Sequence, residues 1–139
     1  MTIVEFVNAR LNEEERAAKA AGAGQWTADT EIRTVRDGAG VWVLGEDGDP
    51  VATARFAFDA SGEGIDPRAI GGHIARHDPA RVLREVAAKR AILREYTDAV
   101  DLWERESEAP DSVAALEAVT RHMAAAHSDH PDYDPAWAA

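Results

Sequence analysis

Two groups of side chains in this 139-residue sequence could do chemistry. His73 and His77 are four residues apart, so on a helix they share one face, the spacing that helical metal sites use. Two further ligands would have to come from elsewhere, with His127, His130 or Asp129 as candidates. The stretch lacks the glutamate of the helical zinc-protease signature, so hydrolysis is not implied. In the simpler alternative no metal binds, His77 meets a helix C-terminus and His73 lies at the surface or is partly packed. The second group is basic. Residues 68–94 hold 7 bases and 2 acids, in a chain whose formal net charge is −11. Convergent arginines suit phosphates and carboxylates, so Arg76, Arg81, Arg84, Arg90 and Arg94 are candidate anion-binding residues. The competing expectation is self-neutralisation, with Glu13 to Glu15 and the acidic C-terminal segment folding back on the island.

The elements that would position these residues follow from periodicity. Asp78-Pro79 reads as a helix start, an Asp N-cap followed by Pro at the first helical position. Beyond it Val82, Val86, Lys89, Leu93, Tyr96, Val100 and Trp103 repeat at alternating spacings of 4 and 3, a heptad seam. A helix over 79–106 would be about 40 Å long at 1.5 Å per residue. Its bases crowd the N-terminal half, where the helix dipole favours anions, so they need a partner. Thr2 and Glu5 form a capping box for a helix over 1–22, with a second seam of Val4, Val7, Leu11, Glu14, Ala18 and Ala21. Each seam carries one charge. An antiparallel pairing that sets Val4 near Val100 brings Glu14 to Lys89 as a register-setting ion pair. The same seams between two chains would give a homodimer.

Between residues 25 and 58 the period changes from helical to alternating, over 30–36, 41–44 and 51–58. Asp37-Gly38 and the run from Glu46 to Pro50 are turn chemistry. A three-stranded antiparallel meander results, with Trp26 and Trp42 on its packing face, and it must lie on helices to be stable. The aspartates around Gly48 lack the later glutamate of a calcium loop, so a hairpin turn is expected there. Residues 60–66 form a Gly-rich connector without phosphate-loop context, and 67–77 a short helix. A helix over 112–127 places Val113, Leu116, Thr120, Met123 and His127 on one side. In the tail, 128–139, prolines and aspartates exclude a helix, and Tyr133 and Trp137 tack it to the body. The fold class is α+β in one domain, mainly helical, with the small meander packed on a long helix paired with the N-terminal one.

Bulk properties narrow the functions. The sequence has no cysteine, which excludes disulfides, zinc–thiolate sites and cysteine catalysis. No apolar run approaches the roughly 18 residues of a membrane span, and no signal-peptide pattern opens the chain, so a cytoplasmic location is expected. The charge is unevenly placed: 13 acids and 6 bases in residues 1–67, 11 acids and 2 bases in 95–139. Neither a Ser/His/Asp arrangement nor a carboxylate pair can be placed.

Arg68 and His73 match the arginine-x4-histidine spacing of a class of helical ribonucleases, although Gly71 and Gly72 between them weaken the helix. A wider resemblance rests on Gly24-Gln25-Trp26, the run from His73 to Leu93, and His130-Pro131-Asp132-Tyr133 with Trp137. Together these resemble an uncharacterised family of actinobacteria and their phages. The Pro usual before the tryptophan is Gln25 here, and the Cys-rich insertion of many relatives is missing. The resemblance implies a phage or prophage accessory role and no mechanism.

The leading expectation is a non-enzymatic binding protein whose basic island meets an anionic small molecule, a nucleotide included, or a protein partner. A second is an acidic mimic of nucleic acid that occupies a DNA-binding protein. A third is a metal-binding protein or enzyme built on the histidines. No cofactor is expected except, in that third case, a divalent metal. Direct nucleic-acid binding is disfavoured at pI ≈ 4.8.

Overall fold

A computed structural model describes residues 1–36, 38–106 and 111–138. Thr2 opens the first helix, α1 (Ile3–Ala20), through the expected capping box. Its hydroxyl accepts the Glu5 N–H at 3.2 Å, and Glu5 Oε2 accepts the Thr2 N–H at 2.7 Å. Those bonds from Thr2 hold the exposed Glu5 carboxyl below its ordinary range. The other helices are α2 (Pro67–Arg76), α3 (Pro79–Glu106) and α4 (Asp111–Ala125). With antiparallel strands between α1 and α2, the fold is α+β and mainly helical. No helix is long and apolar enough to cross a membrane among the described residues. The chain divides into two compact units, a helical one of residues 1–16 and 84–139 and one of residues 17–83.

In the helical unit the predicted ion pair forms. Lys89 Nζ lies 3.3 Å from Glu14 Oε2, and Arg90 Nη2 reaches Glu15 Oε2 at 2.6 Å and Asn12 Oδ1 at 2.8 Å. Val4 and Asn8 line a groove with Leu93, Arg94 and Thr97, so α1 runs antiparallel to this part of α3. Tyr96 lies beside Glu117 and Arg121, and its phenol is pushed up by burial and then by the Glu117 charge. Nearer the start of α3, Glu14 meets both Lys89 and His127, so α4 is antiparallel to α3. The core comprises Phe6, Val7, Leu11, Val86, Leu93, Val113, Thr120 and Ala124. The buried Thr120 hydroxyl donates to Leu116 O at 2.8 Å, which removes the cost of an unpaired polar group.

Two expectations fail here. Trp103, placed on the seam, is 43% exposed. The tail is not free of helix: Pro135–Ala138 form a 3-10 turn. Asp134 caps it, accepting the Ala136 N–H at 2.9 Å, and such a turn is short enough to start at a proline. The tail is tacked down by Tyr133 and Trp137 as expected. Their partner is Phe6, whose ring centroid lies 5.9 Å from Tyr133 and 5.0 Å from Trp137.

In the second unit β3 (Gly38–Leu44) is central. It pairs with β4 (Pro50–Arg55) on one edge and with both β1 (Thr27–Ala28) and β2 (Arg33–Val35) on the other. The meander is therefore three strands wide, but its first strand is broken. Ala28 faces Val43 and Arg33 faces Gly40, so five steps on one side oppose three on the other. The expected strand over 30–36 is shortened to Arg33–Val35, because just ahead of it the Asp29 carboxylate accepts the Glu31 N–H at 3.1 Å and the Arg33 side chain at 2.6 Å. Those bonds hold Asp29 below the usual carboxylate range. Asp37 of the expected turn lies outside the described residues. The Gly-rich connector is a second small hairpin, β5 (Ala57–Phe58) with β6 (Gly64–Ile65), closed by Asp59 accepting from the Ser61 and Glu63 N–H groups.

Val41, Val43 and Ala54 are buried on one face of the sheet, under α2. Trp42 is therefore not on the packing face: period-two alternation puts it on the opposite one, where the Arg33 guanidinium lies 5.6 Å from its ring. Gly71 is what allows α2 to sit so close. A Cβ there would stand 3.3 Å from Val41 Cγ1 and 3.6 Å from Ala54 Cβ. Asp66 caps α2 by accepting the Arg68 N–H at 2.8 Å. Asp78 caps α3 by accepting the Arg81 N–H at 2.6 Å.

Candidate functional site

The histidines fall into two groups. In the unit of residues 17–83, the His73 and His77 rings are 4.5 Å apart at the end of α2. His77 Nδ1 lies 2.9 Å from the His73 carbonyl, a helix C-terminal contact that orders the ring without a metal. In the helical unit, His127 Nε2 is 3.5 Å from Glu14 Oε1. His130 packs edge-on to Phe6 at 5.8 Å, while its Nδ1 accepts the Asp132 N–H at 3.1 Å. Among the described residues, no three histidine or carboxylate side chains gather as a metal's ligand set would. Arg68 and His73 are five residues apart on α2 and so point about 140° from each other. Arg68 is itself held by Asp66 at 2.6 Å, and this bond, with its charge, raises the guanidinium pKa and lowers that of the carboxyl.

The arginines divide likewise. Arg76 and Arg81 belong to the unit of residues 17–83, where Arg81 Nη1 donates to the Arg76 carbonyl at 3.1 Å. Arg84, Arg90 and Arg94 belong to the helical unit, and Arg84 is exposed. Lys89 and Arg90 are neutralised in the expected way, by Glu14 and Glu15 of α1. Arg94 is exposed and makes no ion pair with a described residue.

Arg90 and Arg94 share a shallow groove of about 150 Å³ in the helical unit. Its other lining residues are Val4 and Asn8 of α1 and Leu93 and Thr97 of α3. The groove exists because α1 presents small or short side chains opposite two long arginines. Thr97 donates to the Arg94 carbonyl at 2.9 Å, so its hydroxyl faces its own helix. Leu93, only 3% exposed, and Val4 supply apolar contact. Around them the Arg90 and Arg94 guanidinium groups and the Asn8 amide are hydrogen-bond donors of the kind that bind a carboxylate or phosphate. Asn8, Val4 and Thr97 were not among the expected site residues. Their only signal was position, since Asn8 follows Val4 by one turn on the face antiparallel to Arg94.

One buried cation was also missed. Arg10 is 6% exposed, donates from Nη2 to Glu13 at 2.9 Å and sits 5.2 Å from the centre of the Phe6 ring. Its Nε and Nη1 are buried without a hydrogen-bond partner among the described residues, so the aromatic face is what offsets part of its desolvation.

Neither the curated proteins nor the solved structures contain a match to the chain. A family match does cover it from end to end, residues 1–139, and the chain that carries this arginine groove belongs to DUF6221, a family of unknown function.

Proposed function

We propose that this protein is a non-catalytic binding protein that takes a small anionic group, a carboxylate or a phosphate, on the Arg90–Arg94 groove. The observation that supports this reading is a pair of arginines on one groove, of which Arg94 has no carboxylate partner among the described residues. Arg90, already bonded to Glu15 and Asn12, acts as a fixed donor, and Arg94 contributes the net positive charge. Only this part of the basic island serves recognition; Lys89 and the Nη2 group of Arg90 hold α1 against α3. An accessory role in an actinobacterium or its phage, implied by the sequence resemblance, is compatible with a binding protein of this kind.

Calorimetric titration with inorganic phosphate, and separately with succinate, tests the reading. Saturable binding is expected with a Kd on the order of 1 mM or tighter, weakened about tenfold by Arg94→Gln and by added salt. Arg84→Gln, outside the groove, leaves it unchanged. Absence of binding by both anions, or equal loss in both variants, refutes it.

A further inference from the structure

The unit of residues 17–83 contains an open cleft of about 420 Å³ that none of the arginines or histidines above lines. One wall is the chain that leaves α1. Gly22 (φ +100°) ends the helix: the Gly22 N–H donates to Lys19 O at 3.1 Å and the Ala23 N–H to Ala18 O at 3.1 Å, a Schellman closure. The next residues are pinned to the start of α3. Gly24 O accepts the Ala80 N–H at 3.2 Å, and the Trp26 N–H donates to the buried Asp78 carboxylate at 3.3 Å. Asp78 therefore caps α3 and fixes the backbone that presents the half-buried Trp26 to the cleft.

The opposite wall is the β3–β4 turn, closed by Gly45 N–H donating to Asp49 O at 2.8 Å. It supplies Glu46 and Asp47. Glu46 is seated against the bare backbone of Gly24: a Cβ on Gly24 would lie 3.1 Å from Glu46 Oε2. The cleft thus combines an indole wall, a floor of glycine backbone and two carboxylates, and among the described residues no basic one lines it. An anion is repelled there. Among the described residues no third carboxylate or histidine joins Glu46 and Asp47 as a metal's ligand set requires.

We propose that this cleft binds the charged end of a linear organic cation, a guanidinium or ammonium on an aliphatic stem. The stem packs against Trp26, the cationic head lies over or beside the indole, and Glu46 and Asp47 accept its hydrogen bonds. Such a group comes either as an arginine or lysine side chain of a partner segment or as a free amine. The proposal is independent of the anion groove, which lies in the other unit.

The test follows the four tryptophan indole N–H signals of the full-length protein by 1H–15N NMR, with Trp26 assigned through Trp26→Phe. The probes are agmatine, acetyl-Gly-Arg-Gly-amide and the same peptide with neutral citrulline for arginine. Agmatine or the arginine peptide is expected to move the Trp26 signal saturably, with a Kd on the order of 1 mM. Glu46→Gln with Asp47→Asn should weaken this about tenfold or more, and the citrulline peptide should not bind. Gly24→Ala keeps both charges but sets a methyl 3.1 Å from Glu46 Oε2, so that carboxylate must shift by a few tenths of an ångström. Binding should weaken measurably, though less than in the double variant, which guards against a double variant that unfolds. A peptide about tenfold tighter than agmatine identifies a partner segment, and the reverse order a free amine. A Trp26 signal unmoved by about 10 mM of either cation, an equal response to citrulline, or undiminished binding by both folded variants overturns the proposal.

Discussion

Reversing the charge of Glu14 is expected to destabilise the helical unit, and reversing Lys89 in the same chain is expected to recover most of the loss. The two groups stand 3.3 Å apart with 28% and 33% of their side chains exposed. At such a distance a unit pair is worth about 4 kcal/mol at an effective dielectric of ~20 and about 1 kcal/mol in bulk water. A third of each side chain in water places this pair between those limits, and solvent screening reduces it to about 1 to 2 kcal/mol. Glu14→Lys removes that attraction, sets two ammonium groups together, and leaves His127 without its carboxylate. The expected cost is about 2 to 3 kcal/mol, a fall in Tm of about 5 to 10 °C. Adding Lys89→Glu restores an attractive pair in the same place. The double variant should recover to within about 1 kcal/mol of the parent, with a coupling energy of at least about 2 kcal/mol in a urea double-mutant cycle, since Lys89→Glu alone also sets like charges together. Additive losses, with no coupling, would refute the idea that this pair sets the register of α1 on α3.

Two further outcomes concern the other unit. Gly71→Ala gains about 1 kcal/mol of helix propensity but forces a methyl to within 3.3 Å of Val41 Cγ1, so urea denaturation should show a net loss of about 1 kcal/mol. Gly72→Ala meets nothing within 4 Å and should stabilise instead; the opposite order would mean that α2 does not rest on Val41. Asp66, held below the ordinary carboxyl range by the Arg68 side chain and N–H, contributes stability at neutral pH. That contribution is complete above the unfolded pKa near 3.9 and is lost as pH falls through the lower folded value. The Tm difference between parent and Asp66→Ala should therefore shrink below about pH 4, and a difference constant with pH would contradict the assignment.

The long-range pairing of Glu14 with Lys89 was legible because each seam carried a single charge, and only one antiparallel register brings opposite charges together. Phe6 was not legible. It lies off the α1 seam because α1 buries more than the seam: Val7 and Leu11 are seam positions, while Phe6, with Arg10 over its ring, meets the tail, and a single heptad reading finds only the seam. The break at Asp29 escaped for a different reason: the apolar alternation continues through Ile32, while a local carboxylate–backbone bond decides the geometry. The arginines of the groove were identifiable by type, but not which two of five would share a surface. That depended on what α1 placed opposite them. Trp26 stood out in the sequence, yet its partner Glu46 comes from a turn twenty residues later and carries no mark of its own.

The docking of the tail on Phe6 also sets a timetable for synthesis. Phe6 leaves the ribosome 124 residues before His130, the first of its three aromatic neighbours in the tail. At about 5 to 20 residues per second, that interval is roughly 6 to 25 s. Until α3 is made, the nascent chain holds Phe6, Val7 and Leu11 on a helix without its α3 partners, and the tail that covers Phe6 follows only after α3 and α4. An apolar stripe exposed for that long is a substrate for chaperones. Translation speed then sets how long that stripe waits for its cover.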